Sequence, residues 1–300
     1  MTVEAIEPHG FCQGVKRALR LADAALSWGT VFCLHPLVHN EIVAAGLEKR
    51  GLRSVASPDE LPYGATVLFS AHGVSPAVRD AVEARSCRIV DATCPFVARI
   101  HCQAVNFARR GVPVVVIGHA GHAEVQGIVG EVDSAGGMVR VICNRKDSAT
   151  LDFPEDGALG VLCQTTFDAD AAASIVAALA VRYPRLERPP AADVCTATRD
   201  RQDAVRAFVR AGGDGVLVLG SAGSSNTMRL MEIARAEGAR FAAVAGTVAD
   251  AVALDFAEIA RLGVTAGAST PDALIAGILA NLAERGFSHA GTSRNGNGLV

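Results

Sequence analysis

Cys12, Cys94 and Cys195 each stand at a turn, about one in each third of the chain, Cys195 after the Pro189-Pro190 stretch. Cys12 lies in Gly10-Phe11-Cys12-Gln13-Gly14-Val15, just ahead of a helical pattern. Backbone N–H groups at such a helix start point toward a negative sulfur. Cys94 lies in Asp91-Ala92-Thr93-Cys94-Pro95, and Cys195 in Asp193-Val194-Cys195-Thr196-Ala197-Thr198. None belongs to a close-spaced C-x-x-C pair, so local spacing alone does not reveal a metal site. Cys33, Cys143 and Cys163 sit in or beside apolar, strand-like runs and read as small buried hydrophobes, a class that Cys87 and Cys102 join.

Oxygen and nitrogen ligands cluster at similar junctions. Glu124, in Gly118-His119-Ala120-Gly121-His122-Ala123-Glu124-Val125, places a carboxyl close to a histidine in a loop. That carboxyl suits a proton donor, and equally suits a helix start whose dipole it complements. His39 in Leu37-Val38-His39-Asn40 and His72 in Ser70-Ala71-His72-Gly73 fit either ligand binding or a structural role. Ser224-Ser225-Asn226 has the hydroxyl and amide groups that grip phosphate oxygens. The loop carries neither the Lys-Ser/Thr of a P-loop nor G-x-G-x-x-G, so a nucleotide site has little support.

These residues need strands and helices to hold them. Thr66-Val67-Leu68-Phe69, Val114-Val115-Val116-Ile117 and Val216-Leu217-Val218-Leu219 read as buried strands, each ending in a loop of small and polar residues. Arg88-Ile89-Val90, Leu159 to Cys163 and Leu262 to Thr265 form a second set. Helical periodicity covers Cys12 to Ser27, Ala171 to Val181 and Arg201 to Arg210. Strand, polar loop and helix in alternation predict α/β units with parallel sheets whose polar strand ends face a shared centre. Two doubly wound domains flanking a cleft fit the same pattern. Pro184 to Ala192, with Pro189-Pro190, reads as a linker, and the Gly/Ser/Asn-rich stretch from Ser288 to Asn297 as a disordered end.

Composition narrows the function classes. The chain has 300 residues, half of them hydrophobic, enough for two or three compact units. Its 28 basic and 31 acidic residues leave a net charge of −3 with no long basic run, which argues against a nucleic-acid or anionic-membrane surface. No stretch approaches the roughly 18–20 consecutive apolar residues of a membrane span. Met1 to Ala5 lacks the features of a secretory signal, so the expected location is the cytoplasm. Eight cysteines there are not expected to form disulfides.

The motifs gain weight from their order. Gly10-Phe11-Cys12-x-Gly14-Val15, Val38-His39-Asn40, Ser70-Ala71-His72-Gly73, Asp91-Ala92-Thr93-Cys94-Pro95, Gly118-His119-Ala120-Gly121-His122-x-Glu124, Gln164-Thr165-Thr166, Ser224-Ser225-Asn226 and Ala266-Gly267-Ala268-Ser269-x-Pro271-Asp272 follow one another along one chain. The series closely resembles the 4-hydroxy-3-methylbut-2-enyl diphosphate reductases (the IspH/LytB family), from about Ile6 to about Gly286.

The resemblance implies three pseudo-equivalent α/β units in a trefoil around a central iron–sulfur cluster. Their expected bounds are 13–95, 96–194, and 195–285 completed by 1–12, with 286–300 as a disordered tail lacking the family's C-terminal strand. It implies a [4Fe–4S] cluster held by Cys12, Cys94 and Cys195, with one iron open to substrate. It implies that His39, His72, His122, Ser224, Ser225, Asn226 and Ser269 hold a diphosphate, that Glu124 relays protons, and that Thr165 orients the leaving hydroxyl. The implied reaction is reductive dehydroxylation of the allylic diphosphate to isopentenyl and dimethylallyl diphosphates, the last step of the methylerythritol phosphate route. A ferredoxin or flavodoxin is the implied electron donor. Ala222-Gly223, Thr227-Met228 and Asp200 depart from the usual family wording. They leave room for a divergent copy working as an iron–sulfur dehydratase or a redox sensor.

Overall fold

The computed structural model describes residues 1–188 and 193–294. The chain opens with β1 (Thr2–Glu7), α1 (Gln13–Leu26), β2 (Val31–Leu34), α2 (Glu41–Glu48) and β3 (Leu52–Val55). β4 (Thr66–Phe69), α3 (Pro76–Ala84), β5 (Arg88–Asp91) and α4 (Pro95–Arg109) follow. Next come β6 (Val114–Ile117), α5 (Ala123–Ser134), β7 (Val139–Ile142), β8 (Ala158–Cys163), α6 (Ala169–Arg182) and β9 (Arg185–Glu187). The last stretch holds α7 (Thr196–Arg210), β10 (Gly215–Leu219), α8 (Ser225–Ala236), β11 (Phe241–Ala245) and α9 (Val248–Val252). It closes with β12 (Arg261–Ala266), α10 (Asp272–Glu284) and β13 (Ser288–Arg294).

The fold is α/β, as expected, and among the described residues the strands form three sheets. Their orders are β3-β2-β4-β5, β7-β6-β8-β9 and β11-β10-β12-β1-β13. Every strand pairing is parallel. The chain divides into two compact units. One comprises Met1–Val15, Val38–Gly46 and the chain from Thr196 onward, and contains the five-stranded sheet. The other comprises Lys16–Leu37 and Leu47–Cys195, and contains both four-stranded sheets.

The continuous apolar runs are explained by burial on both sheet faces. In β10, Val216 and Val218 pack with Val205, Phe208 and Leu230 of α7 and α8, while Leu217 and Leu219 pack with Ile275 and Ile278 of α10. In β6, Val115 and Ile117 meet Ile175 and Leu179 of α6, while Val114 and Val116 meet Ile100, Ala104 and Ile128 of α4 and α5. Alternate side chains therefore enter opposite cores, each fully buried one stabilising the fold by about 1.5–3 kcal/mol. Gly263 in β12 admits Phe208: a Cβ there would stand 2.7 Å from the Phe208 ring and 2.5 Å from Ile6.

Two expectations at the chain's low-complexity stretches need correction. Within 286–300, read as a disordered tail without a terminal strand, Ser288–Arg294 form β13, parallel to β1 from Thr2↔Ser288 to Glu7↔Arg294. The pairing uses main-chain groups, so the strand needs no apolar alternation. Its register shifts opposite Val3 and Ala5, where Gly291 adopts a φ of 94° and accommodates the extra residue. The expected linker over 184–192 begins with β9, which pairs with β8; residues 189–192 lie outside the described residues. No helix among the described residues is long and apolar enough to cross a membrane.

Candidate active site

In the unit built on the four-stranded sheets, the site residues stand at carboxyl ends of strands. β4 runs into Ser70, whose hydroxyl accepts the His72 backbone N–H at 3.3 Å and lies 3.2 Å from His72 Nδ1. Gly73, at a φ of 74°, turns the chain back toward α3. β5 runs into Cys94, which caps α4 and donates its backbone N–H to Ala71 at 3.0 Å. Asp91 fixes this turn by accepting the Thr93 N–H and pairing with Arg79. Burial pushes the Asp91 carboxyl up, but hydrogen bonds from Thr93 and Arg79 outweigh it and hold it below the ordinary range.

β6 leads to His122, the N-cap of α5. Its Nδ1 accepts the Glu124 N–H at 3.2 Å, which in the neutral ring puts the proton on Nε2. The His72 and His122 rings meet edge to face, with centroids 5.5 Å apart. Glu124 is 1% exposed. Its two oxygens accept the Thr165 backbone N–H at 2.6 Å and the Thr165 hydroxyl at 2.8 Å. Burial dominates its chemistry and pushes the carboxyl up to about 7, partly opposed by the Thr165 hydrogen bonds and by His101; Asp193 raises it further. Thr165 also accepts the Cys195 N–H at 3.2 Å, so one residue ties the Glu124 carboxyl to the cysteine ahead of α7. Asp193 accepts the Cys163 N–H at 2.8 Å, and burial pushes its carboxyl up to about 6.

The other unit carries the remaining residues. Cys12 donates its N–H to Ala268 at 3.1 Å, and its sulfur accepts the Val15 N–H at 3.4 Å in the first turn of α1. Beside Ala268, the Ser269 hydroxyl donates to the His39 carbonyl at 3.0 Å. Asn40 accepts the Val43 N–H at the start of α2, and Ser221 donates to Glu41 at 2.7 Å. These bonds fasten the Val38-His39-Asn40 turn to the loops after β10 and β12. Ser224 caps α8 by accepting the Thr227 N–H, and Ser225 and Asn226 begin the helix. Both side-chain polar atoms of Asn226 are buried with no partner among the described residues. A buried amide in that state is suited to a polar ligand.

The cysteines fall into distinct environments. Cys12, Cys94 and Cys195 are half-buried and each immediately precedes a helix, α1, α4 and α7. A soft, half-exposed sulfur at a helix N-terminus has the chemistry of an iron–sulfur ligand. Cys33 and Cys163 are buried as expected, and burial pushes the Cys33 thiol up to about 12. Cys102 and Cys143 are exposed, against expectation. Cys102 occupies the outer face of amphipathic α4, and Cys143 falls one residue past the end of β7.

Sequence reading passed over Asp193 and a pair formed by His101 of α4 and Glu131 of α5, 3.0 Å apart. The spacing of Glu124, Gly127 and Glu131 on one helix face was the available signal.

Comparisons with known proteins point to one family. The family model described as LytB protein matches residues 3–283. A 4-hydroxy-3-methylbut-2-enyl diphosphate reductase of Burkholderia mallei is 40% identical over 289 residues, 94% of this chain and 86% of the relative. One of Salmonella paratyphi B is 40% identical over 294 residues, 97% of this chain and 92% of the relative. The solved structure of E-1-hydroxy-2-methyl-but-2-enyl-4-diphosphate reductase from Plasmodium falciparum is similar with a TM-score of 0.92 at 29% identity, covering 100% of this chain and 93% of that one. A second solved structure is titled (E)-4-hydroxy-3-methyl-but-2-enyl diphosphate reductase, the terminal enzyme of the non-mevalonate pathway. It matches with a TM-score of 0.67 at 29% identity, covering 95% of this chain and 100% of that one.

Proposed function

The chain belongs to the LytB protein family, and from that premise we propose that it reduces 4-hydroxy-3-methylbut-2-enyl diphosphate, releasing the allylic hydroxyl as water. The substrate takes up two electrons and two protons; the C–O bond breaks, a C–H bond forms, and isopentenyl and dimethylallyl diphosphates result. In this reading Cys12, Cys94 and Cys195 ligate a [4Fe–4S] cluster. When bound, that group supplies the electrons and an open, Lewis-acidic iron for the leaving oxygen. A ferredoxin or flavodoxin delivers the electrons, and the reaction takes place in the cytoplasm.

The protein's own groups bind, orient and protonate. His39, His72 and His122 with Ser224, Ser225, Asn226 and Ser269 hold the diphosphate through N–H and O–H donors. Asn226 supports this role because its buried amide has no protein partner among the described residues. Thr165 orients the substrate hydroxyl while its own N–H and O–H fix Glu124. Glu124 gives a proton to the departing oxygen.

One observation carries the reading: a fully buried carboxyl whose affinity for its proton is raised into the neutral range, locked by two hydrogen bonds to Thr165. A general acid must hold its proton at working pH and release it in the transition state, and this environment meets both needs. The test is anaerobic assay of cluster-loaded protein with the hydroxymethylbutenyl diphosphate and reduced methyl viologen. Both isoprenoid diphosphates should form only with the reductant. No turnover by a loaded sample refutes the assignment, and products without an electron donor would instead identify a dehydratase.

A further inference from the structure

Three arginines stand at matching places behind the three cysteines. Arg17 is five residues past Cys12, Arg99 five past Cys94 and Arg201 six past Cys195. Each occupies the second turn of the helix that leaves its cysteine, α1, α4 or α7. Helical side chains lean toward the N-terminus of their own helix, so each guanidinium is carried back over the helix start. There it acts on the loop that enters a different cysteine.

Arg201, 4% exposed, donates to the Gly10 carbonyl at 2.7 Å and to the Ala197 carbonyl of its own helix at 2.6 Å. Gly10 lies two residues before Cys12. It is buried at a φ of 71°, and a Cβ there would collide with the Asp272 carboxylate. The main chain ahead of Cys12 is thus gripped from α7 and backed by α10, while the Cys12 N–H is held by Ala268. Arg17 donates to the carbonyls of Thr93 at 3.2 Å and Asp91 at 3.4 Å, one and three residues before Cys94. The Arg99 charge, with that of Arg188, favours the anion of Asp193, two residues before Cys195, against the burial that pushes its carboxyl up. Each helix that leaves one cysteine therefore sends a cation to the loop that enters another: α7 to Cys12, α1 to Cys94, α4 to Cys195.

A guanidinium stays charged in any protein environment, and burying it forfeits hydration. An apolar side chain would fill the same space at less cost. What the planar fork adds is several N–H donors in a fixed array, able to hold two carbonyl oxygens at once. Arg201 and Arg17 each hold two. We propose that Arg17 and Arg201 are positioning residues for the iron–sulfur cluster, holding the loops that carry Cys94 and Cys12 in the ligating conformation before any iron arrives. This rests on the reading of those cysteines as ligands. The arginines act through the main chain of the ligand loops.

The test follows iron release to an excess of a ferrous chelator from full-length, anaerobically cluster-loaded protein. Arg17→Met and Arg201→Met remove the donors, and Arg17→Lys and Arg201→Lys keep the charge without the fork. Both Met variants should release iron about ten-fold faster or more than wild type, the scale on which a residue one step behind a metal ligand acts. The Lys variants should recover little of this. Gly263→Ala perturbs the Phe208 core instead, so at an equal fall in urea midpoint it should keep the wild-type rate of release. Wild-type release from either Met variant, full rescue by Lys, or equal acceleration in Gly263→Ala would overturn the proposal. A second readout needs no variant to fold. In cluster-free wild type, hydrogen exchange at the Cys12 and Cys94 amides, bonded to Ala268 and Ala71, should already be slow. Exchange there at the rate of an unstructured chain would refute a preformed site. A wild type that takes up no iron fails the reading of the cysteines as ligands; a loaded wild type with indifferent variants fails only this inference.

Discussion

Replacing Glu124 by Gln should change both turnover and the way stability depends on pH, and the second effect can be worked out from the burial of one carboxyl. The group titrates near 4.5 in the unfolded chain and is pushed up to about 7 in the fold, chiefly by desolvation. The folded state therefore holds this proton more tightly than the unfolded state, and stability falls as pH rises between those values. Below the unfolded value both states are protonated and nothing is lost. Above the folded value the full cost applies, about 3 kcal/mol at roughly 1.4 kcal/mol per pH unit. Gln keeps the shape and can still meet Thr165, but it does not titrate. Between about pH 5.5 and pH 8.5, wild type should lose about 2 kcal/mol more than Glu124→Gln. Urea unfolding of cluster-free protein at the two pH values measures this difference. Parallel pH dependences would show that Glu124 is not held protonated by burial, and the general-acid argument would lose its basis. In cluster-loaded protein the same variant should keep its iron and lose about 10²–10⁴-fold in kcat.

Other expectations follow from single contacts. Thr165→Val removes the hydroxyl that donates to Glu124 Oε2 but keeps the backbone N–H, so kcat should fall about ten-fold or more in the viologen assay while iron content stays unchanged. Asn226→Ala removes a buried amide without a protein partner; KM for the diphosphate should rise about ten-fold, with no loss of urea stability in the ligand-free protein. Gly263→Ala puts a methyl group against Ile6 and Phe208 and should cost about 1–3 kcal/mol by urea unfolding, with cluster loading retained.

Much of the architecture was legible because both faces of the central strands are buried. Val114–Ile117 and Thr66–Phe69 have the same bounds in sequence pattern and structure, and the run at 216–219 gains only Gly215. Strands with weaker apolar signatures were harder to see. β3 (Leu52–Val55) includes exposed Arg53 and Ser54, and β13 rests on main-chain pairing with β1. The start of α1 was readable to within a residue, but α7 begins at Thr196, five residues before the periodicity at Arg201 shows it.

In the site, motif order singled out Glu124 and Thr165, and their hydrogen bonds are plain in the structure. The same reading missed His101, because a histidine inside an amphipathic helix looks like any other half-polar position. Its neighbours Gly127 and Glu131 lie on a different helix, a relation no local pattern encodes. Cys102 and Cys143 illustrate the opposite failing: residue type favours burial, but helix phase and a strand end put both at the surface.

The most direct measurement counts iron and sulfide on anaerobically purified protein, comparing wild type with Cys12→Ser, Cys94→Ser and Cys195→Ser, and with Cys102→Ser and Cys143→Ser as controls. About four irons per chain are expected in wild type and both controls, with collapse of iron content and colour in each of the first three. Full iron in any of those three, or its loss in either control, would contradict the assignment of these thiolates to one cluster.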